Sequence, residues 1–171
     1  KHGIAHVPED RQREGLIMDF AAWENIAFGY HTDEKYQSGI FMNNAAIKQD
    51  ASEKMQRFDV RPPNHNLTAK SFSGGNQQKV ALARLLEHPA QIFLLDEPTR
   101  GIDVGSKAQI YQLVSELAAA GKAVVIVSSY LPELLGLCDT IGVMCRGELT
   151  AIRPRADWSE TDIMRAATGS T

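Results

Sequence analysis

Phe72-Ser-Gly-Gly-Asn-Gln-Gln78, followed fourteen residues later by Ile92-Phe-Leu-Leu-Asp-Glu-Pro98, is the stretch that decides the fold. A glycine-bearing loop that opens a helix suits anion binding, because backbone N–H groups and the positive helix end can face a phosphate together. An apolar strand ending in two carboxylates suits a magnesium ion and an activated water. Taken alone, Ser-Gly-Gly is weak, since Gly-Gly marks loops everywhere. Asp96-Glu97 is stronger, because adjacent carboxylates at the carboxyl end of a buried strand are costly unless a metal or substrate uses them. Together they indicate nucleoside triphosphate chemistry. An absence is equally informative: the 171 residues contain no G-x-x-x-x-G-K-[ST] phosphate loop.

Working outward, the pattern is α/β. Ile92 to Leu95 and Ala123 to Val127 are short and apolar throughout, as in parallel strands buried on both faces. Between them Ile110, Leu113, Val114 and Leu117 recur at helical spacing, and Gly121 is placed to end that helix. A strand–helix–strand unit of this kind implies a right-handed crossover. Upstream, Ile4 to Val7 reads as a strand closed by Pro8 and the charged run Glu9 to Arg13. A weak helix is expected around Trp23 to Phe28, and loop over 29–42. Ile47, Ala51, Met55 and Phe58 predict a helix over 44–58, with Asp50–Lys54 and Glu53–Arg57 on its wet face. A well-buried helix should run from about Gly75 to Glu87, stopped before Pro89. Downstream, Leu131 to Leu137 predicts a short helix. Arg146-Gly147 predicts a hairpin at a sheet edge, and Ser159-x-x-Asp162 a final capped helix.

The length favours one domain with a real core. Charged residues are 23% of the chain and the net charge is -3, so no basic field points to nucleic acid. No apolar run approaches the ~20 residues of a membrane span, and no stretch reads as a signal peptide. Cys138 and Cys145 have neither CxxC nor zinc-ligand spacing and read as inert thiols. The five histidines show no ligand spacing. Arg11 and Arg13 read as solvated loop charges. The chain starts without Met in a strand-like segment, which suggests a piece of a longer protein.

At these residues the sequence resembles the nucleotide-binding domain of ABC transporters. Phe72 to Gln78 is similar to the family's signature motif, Ile92 to Glu97 to Walker B, Gly101-Ile-Asp103 to the D-loop, and Val7-Pro-Glu9 to the Q-loop segment. The strings Val-Pro-Glu-Asp-Arg, Asp-Glu-Pro-Thr-Arg-Gly-Ile-Asp-Val-Gly and Met-Arg-Ala-Ala-Thr-Gly resemble the C-terminal ATPase domain of bacterial monosaccharide importers of the ribose, galactose and xylose group. The resemblance spans about residues 2 to 169. It implies a partial RecA-like P-loop ATPase core, mainly parallel sheet, with an inserted α-helical subdomain. The implied division is 1–16 for the Q-loop strand and loop, 17–88 for the helical subdomain with the signature motif, and 89–171 for the Walker B, D-loop and H-loop part.

The resemblance also implies roles. Asp96 would support Mg2+, with Glu9 beside it, and Glu97 would act as general base. Ser73, Gly74, Gly75 and Gln77 would form the signature loop that meets the γ-phosphate of an ATP held by the opposite domain. Asp103 would organise the contact between domains, and Ser129 stands at the switch-histidine position. ATP and Mg2+ are the implied cofactors. Implied partners are a transmembrane permease, whose coupling helix would meet Ile17 to Phe28, a second ATPase domain, and indirectly a sugar-binding protein. The implied place is the cytoplasmic face of the plasma membrane.

Three departures stand out. Glu9 replaces the usual Q-loop Gln, Ser129 replaces the switch His with Tyr130 beside it, and the phosphate loop is missing. Without that loop's Lys and amide cradle a triphosphate loses its main anchor. The isolated chain is therefore expected to lack ATPase activity and to self-associate through exposed apolar surface. The alternative is a non-catalytic half that only lends its signature loop to a partner site. A soluble ABC ATPase of DNA repair or translation fits the charge poorly.

Overall fold

The computed structural model describes residues 3–86 and 90–169. The expected helix end near Glu87 and Pro89, and His2 and His88, lie outside the described residues. The chain divides into two compact units, Lys1–Val127 and Ser128–Thr171.

The first unit is built on a three-stranded parallel sheet in the order β1 (Ile4–Val7), β4 (Ile92–Asp96), β5 (Ala123–Val127). Register is tight: Ala5 pairs with Phe93, and Phe93 with Val124. The helix α4 (Val104–Ala119) connects β4 to β5, as the periodicity predicts. The chain between β1 and β4 holds α1 (Ala22–Ala27), a two-residue hairpin β2 (Gln37–Ser38) and β3 (Phe41–Met42), α2 (Asn44–Arg57) and α3 (Gly74–Leu86). This helical part is thus inserted between neighbouring strands of one sheet. The hairpin falls in 29–42, read as loop from sequence. Its strands are exposed and too short for an alternating pattern, so period-2 analysis has nothing to detect.

The core runs from the sheet into α3. Val80, Ala81, Leu82 and Ala83 are all buried, together with Phe93 and Leu95 from β4 and Met55 and Phe58 from the α2 end. Four consecutive buried residues cover the whole circumference, so α3 is enclosed on all sides. Among the described residues of this unit, however, the sheet is covered on one face only. Phe93 and Leu95 face the core, while Ile92, Leu94, Val125 and Val127 on the other face are 37–57% exposed. Uniform apolarity did not distinguish these two faces; only the packing does.

Polar contacts also differ from a simple amphipathic helix. Lys54 is buried, and Asp50 of α2 gathers Lys35, Lys54 and the Tyr36 hydroxyl, the two ammonium groups at 2.9 Å. Burial, reinforced by the bonded Asp50 carboxylate, pushes the Tyr36 phenol up to about 12. An unfolded tyrosine ionises near 10, so this stabilisation is complete below pH 10 and is lost as pH rises through 12. Tyr36→Phe is expected to cost about 1 kcal/mol at neutral pH. It should also flatten the fall in denaturation midpoint between pH 10 and 12, a slope that urea titrations across that range would read.

The second unit contains α5 (Leu131–Leu137), the hairpin of β6 (Thr140–Cys145) and β7 (Glu148–Pro154), and α6 (Glu160–Thr168). Arg146 and Gly147 both have positive φ, the backbone demanded by a two-residue hairpin turn. The hairpin forms its own two-stranded sheet rather than an edge of the parallel one. Trp158 anchors this unit's core, donating its indole N–H to the Ile141 carbonyl at 3.1 Å. Ser159 caps α6 by accepting from the Asp162 N–H, as its spacing predicts. Both cysteines are free thiols, and burial raises Cys138 away from the reactive thiolate.

Candidate functional site

The carboxyl end of β4 delivers Asp96 and Glu97. Asp96 is the last strand residue, paired in register with Val127. Glu97 leaves the strand with φ 43°, in the left-handed region that a non-glycine residue occupies at a cost of order 1–3 kcal/mol. Two backbone bonds hold it there: its N–H donates to the Val127 carbonyl at 2.8 Å, and its carbonyl accepts from Arg100 N–H at 3.1 Å. A strained carboxylate beyond a parallel strand is where α/β sheets place reactive groups.

The signature-like loop begins at Ser73, which is exposed, with its Oγ accepting from the Asn76 amide at 2.9 Å. Gly74 and Gly75 then open α3. A Cβ on Gly74 would lie 2.7 Å from the Arg11 guanidinium, which would have to move aside, whereas one on Gly75 would meet the Asp103 carboxylate at an ordinary contact distance of 3.4 Å. Gln77 is buried behind this loop. Its amide donates to the Ala69 and Phe72 carbonyls at 3.3 and 3.0 Å, and its oxygen accepts from Gln12 at 3.0 Å. Every polar atom of Gln77 is therefore engaged in shaping the loop.

Asp103 caps α4, accepting from the Ser106 N–H at 2.9 Å and its hydroxyl at 2.8 Å. Those bonds hold its carboxyl below the usual carboxylate range. Glu9, after β1, forms an ion pair with Arg100. The tertiary structure thus joins three distant segments within the first unit: Glu9 to Gln12, Ser73 to Gln77, and Arg100 to Asp103. Between the first and third lies an open cleft of about 530 Å³ lined by Glu9, Asp10, Arg11, Gln12, Arg100 and Gly101. Ser129 belongs to the second unit, where it is exposed just ahead of α5.

Among the described residues no cluster of three or more His, Cys, Asp or Glu could hold a metal ion. The single carboxylate of Asp96 at the end of β4 is compatible with Mg2+ carried by a nucleotide, which takes one or two carboxylates and completes its shell with phosphate oxygens and water. Among the described residues, no helix is long and apolar enough to cross a membrane.

Sequence reading missed Arg11, Gln12 and Arg100. Arg11 is half-buried and donates to the Arg100 carbonyl at 3.2 Å, rather than being a solvated charge. Burial lowers its pKa from the ordinary guanidinium value. Its partners lie far away along the chain, so no local spacing could have announced them.

The ABC transporter family model matches residues 1–100. The xylose import ATP-binding protein XylG of Moorella thermoacetica is 42% identical over 168 residues, covering 98% of this chain and 33% of its own length. The ribose import ATP-binding protein RbsA of Shouchella clausii is 41% identical over 169 residues, covering 99% and 34%. The chain thus spans about a third of the length of the curated relatives it matches. Among solved structures, the dimeric bacterial ABC transporter cassette MJ0796 superposes with a TM-score of 0.73 at 25% identity, over 89% of this chain and 62% of that one. Its post-hydrolysis state bound to ADP and Pi gives 0.71. The fold is the α/β, RecA-like fold of ABC ATPase cassettes, and the chain belongs to the ABC transporter family.

Proposed function

We propose that this chain is part of the ATP-binding subunit of a bacterial sugar importer, where ATP hydrolysis drives carbohydrate uptake. The observation that carries this reading is the strained Glu97 following Asp96 at the end of β4, in the same unit as a glycine loop opening α3. Relatives named as xylose and ribose import proteins support the sugar class.

In this reading Glu97 accepts the proton of the attacking water as general base. Asp96 would hold Mg2+, which when bound with ATP neutralises charge on the phosphates. Glu9, paired with Arg100, would stand beside it. Ser73 and the amides of Gly74 and Gly75 would contact the terminal phosphate of an ATP held by an opposing ATPase domain. Asp103, already fixed as a helix cap, would present its loop to that domain, and Ser129 would offer a hydroxyl where an imidazole is usual. The functional division would be 1–16, 17–88 and 89–171. A permease in the plasma membrane, contacted from its cytoplasmic side, and a sugar-binding protein beyond it would complete the assembly.

A second reading, in which this half contributes only the signature loop, is favoured by Ser129 in the switch-histidine position, while the intact Asp96-Glu97 pair argues against it. Mg-ATP calorimetry on this chain, at concentrations able to detect millimolar binding, tests what both readings share. No detectable heat is expected, because Ser73–Gly75 would complete a nucleotide site built elsewhere. Stoichiometric binding would show that another loop replaces the phosphate cradle and would overturn the half-site geometry.

A further inference from the structure

We propose that Arg11 is a positioning residue that clamps the signature-like loop to the segment following Asp96-Glu97, through its contacts with Gly74 and the Arg100 carbonyl. The inference rests on the reading of Ser73–Gly75 as a phosphate-contacting loop and adds a residue to it.

The geometry is that of a wedge. Asp10 accepts from the N–H groups of Gln12 and Arg13 at 3.1 and 3.2 Å, starting the single turn Arg11–Gly15 directly after β1. From that turn two neighbouring side chains reach different parts of the loop. Gln12 bonds Gln77, which in turn holds the carbonyls of Ala69 and Phe72 just before Ser73. Arg11 passes its guanidinium between Gly74 and Arg100: one amino group donates to the Arg100 carbonyl, and the other occupies the space where a Gly74 side chain would begin.

Arg100 is itself held, because its guanidinium pairs with Glu9. The chain of contacts therefore runs from Glu9 through Arg100 and Arg11 to Gly74. It links the β1 exit, the β4 exit and the start of α3, the three segments whose relative placement a phosphate site at Ser73–Gly75 would require.

Two facts separate a clamp from incidental packing. Gly74 is the one residue type that admits the guanidinium at this distance; any Cβ would force it away. The Arg11 Nε is also buried without a hydrogen-bond partner, and burial outweighs the attraction of the neighbouring Asp10 carboxylate. A partly desolvated cation held on one carbonyl and a glycine face is unfavourable on its own. Here its planar fork touches both segments at once, which a lysine head cannot do.

The test uses Arg11→Met, which keeps the apolar stem and deletes the fork, with Arg11→Lys beside it. Hydrogen exchange of the Ser73–Gln78 amides is measured on this chain. Turnover is measured on the ATP-binding subunit reconstituted with its permease, with Glu97→Gln as control. Exchange should accelerate about tenfold in both Arg11 variants, the equivalent of losing a hydrogen bond to a charged group. kcat/KM for MgATP should fall by about 10²-fold, the scale of an ångström-level misplacement, with little change in melting midpoint. Gly74→Ala should cost less activity in the Arg11→Met background than alone, because the displaced group is gone.

Unchanged exchange in Arg11→Met overturns the clamp whatever the enzyme does. Unchanged turnover in a complex that Glu97→Gln inactivates overturns its positioning role. Equal cost of Gly74→Ala in both backgrounds does the same. A complex indifferent to Glu97→Gln instead sinks the catalytic reading, and exchange alone then decides the clamp.

Discussion

Glu97→Gln is expected to lower MgATP turnover of the transport complex by about 10²- to 10⁴-fold, the range associated with a positioned general base, and to accumulate its closed, ATP-bound state. Glutamine preserves the volume, the hydrogen-bonding reach and the left-handed backbone, so only basicity is removed. The backbone itself supplies a control. Glu97 sits at φ 43°, and glycine adopts that conformation without steric cost, so Glu97→Gly should stabilise the chain by about 1 kcal/mol while abolishing turnover equally. A site that gains stability as it loses activity is one where strain serves function. Ser73→Ala completes the comparison. If this half only lends its loop, the complex should tolerate loss of Glu97 but not of Ser73. Wild-type turnover in Glu97→Gln, with Ser73→Ala impaired, would sink the catalytic role and establish the lending role.

Phe93→Ala is expected to cost about 3–5 kcal/mol, the range for deleting a buried aromatic side chain. Phe93 is fully buried on the central strand, with Ala5 and Val124 as its register partners. Ala5 is too small to fill the vacated space, so a cavity should remain. Against a typical total of about 5–15 kcal/mol, that loss removes much of the fold's stability, and a urea titration should show a lower midpoint at unchanged slope. One face over, the outcome reverses. Val125 is 50% exposed on the edge strand β5, so Val125→Lys should leave stability within about 0.5 kcal/mol and reduce any self-association seen by light scattering. Equal losses at Phe93 and Val125 would contradict the one-sided sheet.

What was legible in the sequence was local. The α2 range follows from Ile47, Ala51, Met55 and Phe58; β4 and β5 follow from short apolar runs; the Arg146-Gly147 turn and the Ser159 cap follow from residue chemistry that acts within a few positions. What escaped was relational. Arg11 looked like one of four charges in a five-residue run, because its Arg100 partner is 89 residues away, and Gln77 looked like a loop-facing ligand, because Gln12, 65 residues away, helps turn it inward. The face of β4 that meets the core, and the buried state of Lys54, likewise depend on what packs against them.

By itself the sequence determined that Ser73–Gly75 opens a helix and that Asp96-Glu97 ends a strand, since glycine freedom, helix periodicity and apolar run length are properties of neighbouring residues. Only the tertiary structure decided that these two motifs are tied through Arg11, Arg100 and Glu9, and that Glu97 is held strained by the Val127 carbonyl. Parallel pairing makes that difference. β1 and β4 are adjacent in the sheet but separated by the whole helical insertion, so the contacts at their carboxyl ends exist only once the chain has closed around its core.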